Sequence, residues 1–299
     1  MTSPGEARVA AAAVPGCQHV LGGGVPCQDA VATVTAPDRV ILAVADGHGD
    51  EQYTHSDEGA RIAVAVAVEV LGLLADRIAA EPPPSRDASH LEVHLVAPMK
   101  RRIAFEWNRR VKHHARMIAA RDGSALLWPD EVTGDWDEKV RAYGCTLLGA
   151  LFTDDVGIWL RLGDGEALAV AGGDEGVGRV RRVFPGADKS MGQATHSLAM
   201  RSCIEHMDVR IAPRDSDLEL VVLATDGVTD QYGEDPSFEH EWGARMLERI
   251  RNSGWTQTMM DLPRSLGTVA RDGDDCSAAI AWLPPRSTSH AIPRATEET

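Results

Sequence analysis

Close-spaced cysteine pairs are missing from this sequence. The five cysteines, Cys17, Cys27, Cys145, Cys203 and Cys276, are odd in number and far apart, which excludes a zinc knuckle and a CxxC redox motif and favours a reducing compartment. Long apolar runs are also missing. The longest, Ile62 to Ala75, falls short of the ~18 residues of a membrane span and contains Glu69, so it reads as a buried helix. Val9 to Val14 is too short for a signal-peptide core and has little positive charge before it. The expected location is the cytoplasm, with no membrane partner. Positive charge is scarce: 30 Lys or Arg stand against 45 Asp or Glu, a net −15 at pH 7. A chain this acidic repels a polyanion unless it carries a strong basic patch, and none is obvious, so nucleic acid is not an expected partner. The seven tryptophans are scattered without a basic stripe, which makes packing their default role.

With 43% hydrophobic and 25% charged residues, the chain has the composition of a globular protein with ample core. Residues 1–15, small and Ala-rich, suggest a loose leader. Val31 to Val34 and Val40 to Ala45, separated by Ala36-Pro37-Asp38, suggest a hairpin. Glu58 to Ala80 is helical and stops at Pro82-Pro83-Pro84, and a second helical region runs from about His90 to Arg121. Strands are expected at Cys145 to Phe152, Gly157 to Leu162, Leu168 to Ala171, Val180 to Phe184, Leu218 to Ala224 and Ser277 to Leu283. Phe238 to Ala270 has helical spacing broken at Ser253-Gly254, residues 185–208 suggest a surface flap, and 284–299 a disordered tail. Clustered strands with grouped helices predict an α+β fold within 16–283.

Three apolar strands end alike. Val40 to Ala45 runs into Asp46-Gly47-His48-Gly49, Ile158 to Leu162 into Gly163-Asp164-Gly165, and Leu220 to Ala224 into Thr225-Asp226-Gly227. A fourth strand is preceded by Asp274-Asp275-Cys276-Ser277. A single Asp-Gly is most often a turn, but several carboxylates at buried strand ends form a costly cluster for which a divalent cation is the natural compensation. Hard cations such as Mg²⁺ and Mn²⁺ take oxygen ligands and keep waters, so few carboxylates suffice. Other candidate sites are weaker: His90 and His94 lack a third zinc ligand, and His113-His114 sit among cations on a solvated helix face.

These segments, together with Tyr143-Gly144-Cys145-Thr146-Leu147, resemble the ordered motif series of the type 2C metal-dependent serine/threonine protein phosphatases, over about Gly16 to Leu283. The resemblance implies a four-layer α-β-β-α sandwich of two packed antiparallel sheets flanked by helices. It further implies two Mn²⁺ or Mg²⁺ ions, with a third, weaker one. Asp46 would bridge the two metals with the Gly47 carbonyl as a further ligand, Asp226 and Asp274 would hold the other metal, and Asp164 would bind the third ion with Asp226. His48 matches the general acid, and Asp29 an acidic position near the metal waters. Two departures stand out. Gln28 occupies the place of a common Glu, and Gly24 that of a phosphate-binding Arg; His19 is then the candidate phosphate contact, as in bacterial members with Gln-Asp. The implied activity is hydrolysis of phosphoserine and phosphothreonine on proteins, opposite a cognate kinase pathway. The alternatives are a weakly active or inactive module that binds a phosphoprotein or regulatory partner, and a phosphatase for small phosphate esters.

Overall fold

The computed structural model describes residues 6–21, 26–81, 88–122, 136–172, 178–184, 195–214, 217–232, 237–270 and 273–283. The first half contains β1 (Arg8–Val14), α1 (Cys17–Leu21), β2 (Ala30–Ala36), β3 (Arg39–Ala45) and α2 (Ser56–Ala80). A further helix starts as α3 (Ala88–Leu91), passes through a π-helical turn at Glu92–Val96 and continues as α4 (Ala97–Arg121), followed by the short α5 (Trp136–Arg141). Then come β4 (Leu147–Phe152), β5 (Val156–Leu162), β6 (Glu166–Ala171), β7 (Arg179–Arg182), β8 (Asp208–Pro213) and β9 (Leu218–Ala224). The chain closes with α6 (Asp226–Thr229), α7 (Arg245–Ser253), α8 (Trp255–Met260), α9 (Leu262–Val269) and β10 (Cys276–Trp282). Among the described residues, no helix is long and apolar enough to cross a membrane.

The strands form two five-stranded sheets, β1-β10-β9-β6-β7 and β2-β3-β4-β5-β8, antiparallel throughout. The expected α+β sandwich of four layers is what the chain builds. Strand alternation explains why its central strands read as unbroken apolar runs. In β3, Ile41, Ala43 and Ala45 face α2, whereas Val40, Leu42 and Val44 face the other sheet. In β9, Leu220, Val222 and Ala224 pack under Trp242, Leu247 and Leu266, while Val221 and Leu223 point between the sheets. Both faces of each central strand are therefore buried.

Two expectations needed correction. Arg8–Val14, assigned to a loose leader, is an edge strand paired along its whole length with β10, from Arg8 opposite Trp282 to Val14 opposite Cys276. Its alternation is hidden because small residues face both ways: Ala10, Ala12 and Val14 pack on the helix side and Val9 and Ala11 on the sheet side. In the expected flap, residues 185–194 lie outside the described residues, 195–207 form turns, and Asp208 opens β8, an edge strand paired with β5 in which exposed Asp208 and Arg210 alternate with partly buried Val209 and Ile211. The expected tail, 284–299, also lies outside the described residues.

Candidate metal centre

Strand direction gathers the carboxylates. Ala30, at the start of β2, pairs with Ala45, at the end of β3, which sets Asp29 beside Asp46. Ala278, near the start of β10, pairs with Ala224, at the end of β9, which sets Asp274 beside Asp226. Stacking the sheets brings the two pairs together, and the Thr225 hydroxyl crosses between them to donate to Asp29 Oδ2 at 2.8 Å. β5 ends at the same edge, where Gly163 at φ +104° turns the chain into Asp164; only glycine takes that backbone readily. The Asp46 and Asp226 carboxyls lie close enough that Asp226 raises Asp46.

The electrostatics record the crowding. Burial pushes the Asp29 carboxyl up to about 7 against the pull of Thr225, with Asp275 and Asp226 raising it further. Burial, then Asp29 and Asp226, hold Asp46 well above the carboxylate range. Burial and then Asp164 push Asp226 up to about 6. The thiols alongside feel the same field: Cys27 and Cys276 are each raised to about 12, first by burial and then by carboxylates that include Asp29 and Asp275. At this edge two carboxylate oxygens, Asp29 Oδ1 and Asp164 Oδ1, are buried without a hydrogen-bond partner, whereas a buried acceptor is ordinarily satisfied.

A divalent cation fits this arrangement. Among the described residues no three His, Cys, Asp or Glu side chains close on one point, so side chains alone do not complete a metal's shell there. Mg²⁺ and Mn²⁺ need less, because water and backbone carbonyls complete their shells. One such carbonyl is well placed. The bridge between Gly47 and Cys145 is made by the Asp46 carbonyl, accepting from Thr146 N–H at 2.8 Å, and by His48 N–H, donating to the Gly144 carbonyl at 3.1 Å. The Gly47 carbonyl thus points away from Cys145.

The other expected residues have distinct settings. Burial holds the His48 imidazole below its ordinary range although Asp164 and Asp50 pull the other way, and the Tyr53 ring packs 4.8 Å from it. Gln28 donates from its side-chain amide to Ser56 Oγ at 2.7 Å, which leaves its carbonyl oxygen toward Gly49. His19 is bonded through Nδ1 to Asp275 Oδ1 at 2.8 Å, so only Nε2 remains for a phosphate. No local pattern singles out Asp275. Here it is 3% exposed and also accepts from the backbone N–H of Gly16 at 2.7 Å and of Gln28 at 2.5 Å, which ties the N-terminal loop to the metal edge. The adjacent acids Asp274 and Asp275 carried no signal to tell ligand from tie. Thr195, whose hydroxyl donates to Asp164 Oδ2 at 2.8 Å, was equally invisible, since it lies 31 residues away in sequence.

Comparison with known proteins agrees with this geometry. The family model described as "Protein phosphatase 2C" matches residues 17–265. The chain belongs to the protein phosphatase 2C family. No curated protein sequence matches it. Among solved structures, the 2C-family chain is similar to a bacterial serine phosphatase at 14% identity, covering 95% of this chain and 99% of that one with a TM-score of 0.57. Stp1 from Staphylococcus aureus, a serine/threonine phosphatase, is 15% identical over 94% of this chain and 96% of that one, with a TM-score of 0.56. The catalytic domain of the serine/threonine protein phosphatase PstP, solved with two manganese ions, is 14% identical over 93% and 98%, with a TM-score of 0.53. At such identities the likeness is one of fold.

Close packing holds the phosphatase 2C edge together. A Cβ on Gly227 would lie 2.0 Å from the Asp275 carbonyl oxygen, so only glycine lets the Asp226 turn meet the Asp275 turn. Gly227→Ala is expected to cost about 1–3 kcal/mol in stability through overpacking. Denaturant unfolding checks this; an unchanged midpoint would mean that the two turns are not in contact.

Proposed function

We propose that this chain hydrolyses phosphoserine and phosphothreonine esters on proteins, with water as the nucleophile and no covalent intermediate. The observation that carries the reading is the convergence of Asp29, Asp46 and Asp226, three buried carboxyls raised above their ordinary range at one sandwich edge. Asp46 with the Gly47 carbonyl, and Asp226 with Asp274, are the residues that would hold two Mn²⁺ or Mg²⁺ ions, and Asp164 with Asp226 a third. When bound, such ions supply Lewis acidity: they make water a competent nucleophile near neutral pH and neutralise phosphoryl charge.

The chain's own residues set the rest. Thr225 holds Asp29 by its hydroxyl, and Asp29 keeps one oxygen for a water at the centre. Ser56 fixes the Gln28 amide, so that its carbonyl oxygen can accept from a water. His48 is the proton donor to the departing serine or threonine oxygen. Burial favours its neutral form, so the proton on the ring has to be retained by the negative charge of the bound ester. His19, held at Nδ1, presents Nε2 as the replacement for the arginine absent at Gly24.

A cognate serine/threonine kinase is the expected opposing partner and the cytoplasm the expected setting, in keeping with five free cysteines. The binding-module reading draws on Gln28, which is neutral where a carboxylate would strengthen the centre. The test is phosphate release from a phosphoserine peptide and from p-nitrophenyl phosphate after chelation and on adding back Mn²⁺. Mn²⁺-dependent release with higher kcat/KM on the peptide is expected. Release from the small ester alone would favour the small-ester reading, and no release from either would leave the binding module.

A further inference from the structure

The net charge of −15 hides a local inversion. Helix α4 carries eight Lys or Arg and one acid, Glu106, a net +7 on 25 residues of an otherwise acidic chain. The patch is not visible in the linear sequence because the cations are spaced along a helix and are gathered only when it coils. Ile103, Trp107, Val111, Ala115 and Ala119 recur every fourth residue and are buried, the first four in the cluster that α4 shares with α2. The opposite row, Arg101, Phe105, Arg109, His113 and Met117, is exposed, with Arg116 beside it. The row spans about 24 Å at 1.5 Å per residue. Phe105, 65% exposed, and Met117, 57% exposed, break the charge with apolar surface.

At the start of this row the surface opens into a cavity of about 530 Å³ between α2 and the π-helical turn. Val70, Leu74, Leu95 and Met99 line it, and Arg77 and Arg102 put two cations on its walls beside one carboxylate, Asp76, which Arg39 pairs. A π turn swells a helix locally and is common at binding surfaces. At its far end α4 reaches the metal edge: His114 Nδ1 is 3.0 Å from the Tyr143 hydroxyl, and the next residue, Gly144, accepts from His48 N–H. The basic row thus leads from an apolar cavity toward the general acid.

We propose that the outer face of α4, with the cavity at its base, docks an acidic amphipathic segment of the phosphoprotein substrate. The proposal rests on the phosphatase reading and adds a substrate class to it: phosphoproteins in which an acidic helical segment accompanies the phosphorylated residue. Charge selects the occupant. A helix of net +7 on a −15 chain, with Arg101, Arg116 and the Glu106-paired Arg109 on its outer face, attracts a short anionic segment at long range, whereas the surrounding acidic surface opposes an extended polyanion. The apolar cavity calls for an apolar anchor side chain, which a nucleic acid does not have.

The test uses the full chain and a fluorescent phosphoserine peptide, with and without an acidic amphipathic extension of about 20 residues, long enough to follow the row. In the native protein with Mn²⁺ the extension is expected to raise kcat/KM about tenfold, an advantage that shrinks as salt rises. In Arg101→Glu/Arg109→Glu/Arg116→Glu the advantage is lost, while turnover of the unextended peptide is unchanged. The corresponding triple Gln variant, which adds no repulsion within the helix, loses part of it. Fluorescence anisotropy of the extended peptide on metal-free protein reads docking without catalysis. Reversal-sensitive binding with no turnover of any ester supports the docking face and defeats the phosphatase reading. An extension advantage that is absent from the native chain, or that survives charge reversal, overturns the proposal. So does reversal-sensitive binding to phosphatidylserine vesicles or to a second copy of the chain in place of the peptide.

Discussion

Replacing Asp46 by Asn is expected to do two opposite things: lower Mn²⁺-dependent phosphate release by about a thousandfold and raise the melting temperature of the metal-free protein. The activity loss follows from position. Asp46 follows β3 beside Asp29, lies close enough to Asp226 to be raised by it, and is the carboxylate proposed to serve both metals. The stability gain follows from the penalties gathered there. Burial, Asp29, Asp226 and Asp274 all disfavour a charge on Asp46, and an isosteric neutral amide removes that charge. A residue that served only to hold the fold would lose stability and activity together. Thermal melts in chelator beside a phosphate-release assay separate the cases, and a fall in both readings would reassign Asp46 to a structural role.

Raising the pH from about 5 to 7 is expected to destabilise the metal-free protein. The carboxyls of Asp29, at about 7, and Asp226, at about 6, titrate above the ordinary 3.8, and that of Asp46 is shifted the same way. In this window the folded chain keeps protons that the unfolded chain has released, so stability falls as pH rises, by up to about 1.4 kcal/mol per pH unit for each proton kept. The loss begins above the unfolded value and is complete once pH passes the folded values. Bound Mn²⁺ displaces those protons and compensates the charge, so its stabilisation grows across the same range. Melting temperatures from pH 5 to 7.5, in chelator and in saturating Mn²⁺, are expected to diverge. Parallel profiles would mean that the metal does not enter this pocket.

How far the sequence discloses the site depends on which residue is asked about. Asp46, Asp164 and Asp226 are legible because each follows an apolar strand and precedes glycine, and antiparallel pairing then carries all three to one edge. The ties between the sheets are not legible. The bond from Thr225 to Asp29 joins residues 196 apart, and Asp275 meets Gly16 across 259 positions; no local pattern encodes either contact. His19 shows the limit of reading by motif. Its expected approach to phosphate is now shared with Asp275, which occupies one ring nitrogen. In the fold, β1 escapes notice because alanines on both faces leave no alternation of size, and β8 because an edge strand with exposed Asp208 and Arg210 resembles a loop. The charge on α4 is present in the composition, but its meaning depends on one side of a helix being buried against α2.

Mn²⁺ binding at equilibrium, followed by electron paramagnetic resonance with the native protein and Asp46→Asn side by side, bears most directly on the carboxylate edge as a two-metal centre. Two ions per native chain with a spin-coupled signal, and loss of that coupling in Asp46→Asn, are the predicted result. Uncoupled or absent binding in the native chain, or an unchanged coupled signal in the variant, would contradict it.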